Sequence, residues 1–103
     1  MNSELVKSVL EDELERTKRL VRRYEEEIAA LPKGSVFTRQ IGRQSYFYLS
    51  YREDARTVSK FLGNVKDFRI EELEQKLNRR KELSALLKKL DTDRKSLEKE
   101  LLK

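Results

Sequence analysis

A chain of 103 residues, 37% apolar and 42% charged, is poor in core material; its composition points to one domain built on long helices, or to disorder, with residue pattern deciding between them. It contains no cysteine and no histidine, which excludes disulfides, thiolate zinc sites and the usual imidazole ligand or general base. The net charge of +5 is unevenly spread: residues 1–31 carry eight acidic and six basic side chains, residues 32–63 two and six, and residues 64–103 nine and twelve. The middle segment is the most basic per residue and holds six of the eight aromatics.

Residues 3–31 read as a helix with Ser3 as N-cap and no Gly or Pro before Pro32. Leu10, Leu14, Thr17, Val21, Tyr24, Ile28 and Leu31 recur at alternating steps of four and three, an a/d seam with one polar member. At 1.5 Å per residue the helix is about 43 Å long. So narrow a seam between charged flanks requires a partner. "LPKGS" (Leu31 to Ser35) ends it, because Pro32 disfavours helical geometry at Leu31 and Gly34 lets the chain turn.

The period then changes. "SVFTRQI", "SYFYLSYR" and "RTVSKFL" are short, aromatic and β-branched, separated by turn candidates at Gly42-Arg43-Gln44 and Glu53-Asp54-Ala55. They predict a three-stranded antiparallel meander over residues 32–63. Residues 66–103 form the second helix, with Asp67 as cap and a stripe of Ile70, Leu73, Leu77, Leu83, Leu87, Leu90, Leu97 and Leu101 interrupted by Arg80 and Arg94. The fold class is α+β and mainly helical. Two long helices form an antiparallel coiled-coil hairpin with the meander inserted at its tip, a single domain over residues 1–103. No apolar run approaches the roughly 20 residues of a membrane span and no signal-type apolar segment follows the start, so the expected location is cytoplasmic.

Alternation along the central strand puts Phe47, Leu49 and Tyr51 on one face and Tyr46, Tyr48, Ser50 and Arg52 on the other. Three-residue turns would pair Arg52 with Arg56 and Tyr48 with Lys60. They would add Phe61, Phe37, Ile41 and Arg39 to the apolar face, which packs near Ile28, Leu31, Phe68 and Ile70; a two-residue turn or a bulge would flip the first strand. The opposite face then displays Tyr46, Tyr48, Arg52, Arg56, Lys60, Gln40 and Thr38. Rings, cations and amide or hydroxyl donors on one sheet are what contact with bases and phosphates requires. The same residues also stabilise a sheet that binds nothing: Tyr, Phe and Val favour strands, and basic edges discourage aggregation.

"LPKGSV", "YFYLSYRED" and "RTVSKFLG" together resemble a segment of small bacterial and archaeal proteins of unknown function, the DUF6788 type. The resemblance covers residues 31–63. The tyrosine-rich strand is also similar to the N-terminal segment of certain insertion-sequence transposases and to the three-stranded arm-binding domain of tyrosine recombinases, which lays its sheet in a DNA groove. Many DUF6788-type members have a cysteine cluster between the first two strands, where this chain has Ile41-Gly42-Arg43-Gln44, so it is expected to fold without metal. Ala55 stands where relatives often have glycine; since alanine resists positive φ, a loop longer than a tight turn is expected there.

Other chemistry is set aside. "KGS" lacks the spacing of a phosphate-binding loop, and Glu25-Glu26-Glu27 diverge around a helix axis rather than converging on a metal. A two-helix arm offers no cleft for a catalytic carboxylate pair, so neither an enzyme nor a small-molecule substrate or cofactor is expected. The first function hypothesis is a nucleic-acid-binding accessory protein, for DNA. It contacts phosphates through Arg43, Arg52, Arg56 and Lys60 and bases through Tyr46 and Tyr48, with Gln40 on the same face. The alternative is a structural or protein-interaction module that oligomerises or docks a partner helix along the coiled-coil seam, where Arg80 and Arg94 suggest an incomplete pairing.

Overall fold

The computed structural model describes residues 3–103. Five elements follow in order: α1 (Glu4–Ala29), β1 (Ser35–Ile41), β2 (Gln44–Glu53), β3 (Arg56–Asn64) and α2 (Glu71–Leu101). The helices contact one another, and the three strands between them in sequence form one antiparallel sheet of order β1-β2-β3. The chain divides into two compact units, one of residues 3–30 with 81–103 and one of residues 31–80. Among the described residues no helix is long and apolar enough to cross a membrane.

In the helical unit the seam of α1 is legible in burial. Leu10, Leu14, Val21, Tyr24 and Ile28 are half-buried, whereas the flanking Glu11, Arg19, Arg22 and Glu26 are exposed. Thr17, the one polar seam member, is the most enclosed residue of α1 at 2% exposure; its hydroxyl donates to the Glu13 carbonyl at 2.9 Å, so its polar atom is satisfied within the helix. Ser3 caps the helix by accepting from the Val6 amide at 3.2 Å. On α2, Leu83 is fully buried, Leu87, Leu90, Leu97 and Leu101 are half-buried, and Leu90 and Leu97 line a groove with Glu13 and Thr17. Arg94 lies on this stripe without disrupting it. Its guanidinium donates to Asp91 at 2.7 Å and Glu98 at 3.1 Å, both on its own helix, and so supplies no argument for a missing partner.

In the second unit the first and last residues are tied together: Arg80 Nη1 donates to the Leu31 carbonyl at 2.7 Å. Gly34 then turns the chain into β1 with φ +120, so close to β2 that a Cβ would lie 2.4 Å from the Ser50 carbonyl oxygen. The helix start expected at Asp67 is corrected to Glu71. Asn64 accounts for the delay: its carbonyl accepts the Asp67 and Phe68 amides at 3.0 and 2.9 Å, and its side chain accepts the Lys66 amide at 2.9 Å. These bonds hold residues 64–68 in a turn that swings Phe68 onto Phe47, ring edge to face at 6.3 Å. Only after this does the chain become helical, with the Ile70 carbonyl accepting the first bond, from Glu74.

Candidate functional site

Both hairpin turns are two residues long, not three. Ile41 pairs with Gln44 across Gly42-Arg43, and Glu53 pairs with Arg56 across Asp54-Ala55. In each, positive φ falls on the first central residue, Gly42 at +64 and Asp54 at +57, the pattern of a II′ hairpin. The obstacle at Ala55 is avoided because Asp54, which tolerates the left-handed region, takes the unusual backbone angle instead. The long loop expected there is therefore absent.

Changing each turn by one residue flips both outer strands relative to expectation while β2 keeps its facing. On one face Leu49 is buried at 8% exposure and Phe47 meets Phe68; Val36, Thr38 and Gln40 of β1 and Arg56, Val58 and Lys60 of β3 lie on this side. A register shift between Phe47 and Tyr48 inserts Leu62 as an extra β3 residue and sets Gly63 opposite Phe47, where it leaves room for the Phe68 ring.

The other face is a set of cross-strand rungs. Arg39, Tyr46 and Asn64 form one, with Asn64 Nδ2 donating to Gln44 Oε1 at 2.8 Å beside it. Phe37, Tyr48 and Phe61 form the next: Phe37 stacks on Tyr48 at 5.3 Å between centroids, and Phe61 meets Tyr48 edge-on at 5.6 Å and Tyr46 tilted at 5.7 Å. The Arg39 guanidinium lies 5.4 Å from the Tyr48 ring centroid, a cation–π contact. A rung of three serines follows, Ser35, Ser50 and Ser59, and then Arg52 opposite Thr57. Phe61 and Ile41 on this side are 57% and 54% exposed. No carboxylate stands on this face of the three strands; Glu53 is on the other side, opposite Arg56.

The seven residues predicted to form a site are thus divided. Tyr46, Tyr48 and Arg52 share the ring-bearing face, and Arg43 sits in the turn at its end. Arg56, Lys60 and Gln40 are on the opposite face; Gln40 Nε2 reaches the Gly42 carbonyl at 3.5 Å. Sequence reasoning missed Phe37, Arg39 and Phe61, placing them on the core side. For Phe37 and Arg39 the signal that could have found them is Gly42: a glycine set for the first position of a two-residue turn puts Phe37 opposite Tyr48 by alternation alone; Phe61 depends on Asp54 taking the same position in the second turn.

Fold and face define a small α+β protein whose two helices bracket, in sequence, a meander with one aromatic, arginine-bearing side. The chain belongs to the family described as Domain of unknown function (DUF6788), which it matches over residues 10–75. The match extends beyond the meander into most of α1 and the start of α2. No curated protein and no solved structure matches the chain.

Proposed function

We propose that this chain is a non-enzymatic accessory protein that binds nucleic acid, DNA in the first instance, through the ring-bearing face of its sheet. The observation that carries the reading is the composition of that face: four aromatic rings in mutual contact across all three strands, arginines to either side, and no carboxylate. Rings supply stacking surface for bases, and arginine and serine supply donors for phosphate oxygens. The binding set differs from the sequence expectation in drawing on Phe37, Arg39 and Phe61 rather than Arg56, Lys60 and Gln40.

Anisotropy of labelled DNA tests it at low and moderate salt. Binding weakens with salt, with a log–log slope that becomes shallower by about one when a phosphate-contacting arginine is removed. Arg39→Ala/Arg52→Ala loses affinity, whereas Arg56→Ala/Lys60→Ala, which strips the same charge from the opposite face, loses far less. Equal losses in the two double variants would refute the assignment of the face.

A second reading, a protein-interaction module acting through the helices, draws on Leu5, Val9 and Leu102, large apolar side chains left exposed in the helical unit. Assembly through them changes little with salt, which separates it from phosphate binding.

A further inference from the structure

The order of rungs on the sheet says what form of DNA it suits. We infer that the ligand is an unpaired strand, its bases stacked against the Phe61–Tyr48–Tyr46 ring cluster and its phosphates held by arginines at either end; this rests on the nucleic-acid reading above. The face is apolar and open along its edges: Phe61 on β3 is 57% exposed and Ile41, beside the first turn, 54%, with the half-buried rings of Tyr46 and Tyr48 between them. The cations stand apart, Arg39 beside the rings and Arg52 beyond the serine rung. From the Tyr46 rung to Arg52 is six residues along β2, about 20 Å. A duplex would meet this surface with phosphates and groove edges, since its base faces are occupied by stacking within the helix, and the exposed rings would then lie against charge. An unpaired strand instead offers π-faces to the rings while its phosphates follow the flanks. Aromatic sheets that read single strands hold about two or three bases in this way.

Charge also decides against the face pairing with a second copy of itself. Two such faces brought together would oppose arginines to arginines with no carboxylate on either to offset them. An anionic partner meets no such penalty.

The test uses the full chain and three labelled probes: an oligothymidylate of about a dozen nucleotides, a hairpin duplex of matching length, and an abasic strand of the same length that retains only sugar and phosphate. Oligothymidylate binds tightest, by about tenfold or more over the other two. Phe61→Leu keeps an apolar side chain at an exposed position but removes the π-face; it weakens oligothymidylate by about tenfold, the loss of one stacked base, and leaves the abasic strand unchanged. If the duplex or the abasic strand binds as tightly as oligothymidylate, or if Phe61→Leu has no effect, the sheet binds DNA but not by stacking unpaired bases, and this inference is overturned while the broader reading survives. If no probe binds a folded sample at low salt, both fall.

Discussion

Gly34 is the position at which a single methyl group is expected to do most harm. Its φ of +120 lies where L side chains rarely go, and a Cβ there would sit 2.4 Å from the Ser50 carbonyl oxygen, 3.1 Å from Tyr51 Cβ and 3.2 Å from Leu49 Cδ1. Two penalties follow for Gly34→Ala: backbone strain of about 1–3 kcal/mol and displacement of the central strand, an overpacking cost of about 1–3 kcal/mol. Against them stands about 0.4–1 kcal/mol from restricting the unfolded chain, which leaves a loss of about 3 kcal/mol, or on the order of 15 °C in Tm for a chain of this length. Gly42→Ala is the control. Gly42 also has positive φ, at +64, but nothing lies within 4 Å of its virtual Cβ, so only the left-handed backbone cost of about 1–2 kcal/mol applies, partly offset in the same way. Three of the four tyrosines are in the sheet and there is no tryptophan, so urea unfolding followed by tyrosine fluorescence reports this unit. Equal destabilisation by the two substitutions would show that the approach of Gly34 to β2 plays no part, and the close-contact reasoning would be wrong.

Arg80→Met keeps the apolar stem of the side chain but removes the donor to the Leu31 carbonyl. It should lower stability by about 2 kcal/mol, the scale of a charged hydrogen bond, seen as a lower urea midpoint at unchanged m. Acid should weaken the helical unit with a definite sign. Hydrogen bonds from Arg94 and then Lys95 hold the Asp91 carboxyl below the ordinary carboxylate range, and the bond from Arg16 does the same for Glu13. Depressed folded values mean that this contribution is complete above the unfolded carboxylate pKa and is lost as pH falls through the folded one. Thermal melts at 222 nm from neutral pH to below about pH 4 should show Asp91→Asn/Glu13→Gln with a smaller acid-dependent fall than the parent; identical falls would refute the assignment.

The helices were legible in the sequence because their signal is local and repeated. The four-and-three spacing from Leu10 to Ile28 appears directly as a half-buried stripe, and Ser3 caps where a serine before an uninterrupted helical run should. The start of α2 was not legible, because what delays it is tertiary. Asn64 closes a turn around residues 65–68, and Phe68 has a ring partner on β2, an attraction that no helix-start rule contains. Arg80 and Arg94 illustrate the same limit. On a seam they look like vacancies for another chain, yet one binds the Leu31 carbonyl and the other two carboxylates of its own helix.

The sheet shows how little separates a correct set of strands from a correct face. The number of strands and the facing of β2 could be read from alternation, but β2 runs one residue further at each end than expected, which shortens both turns on which the outer strands depend. Side chains alternate with period two, so one residue more or less in a turn moves a whole strand's side chains across the sheet. Asp54 settles the second turn by accepting the positive φ that Ala55 would resist, and Gly42 settles the first. Those two angles decide the electrostatics as well. They carry Arg56 to the side of Glu53, and they gather Phe37, Phe61 and Arg39 around Tyr46 and Tyr48 on the side that has no carboxylate. The face with stacking rings and uncompensated arginines is therefore a product of turn geometry acting on an alternating sequence.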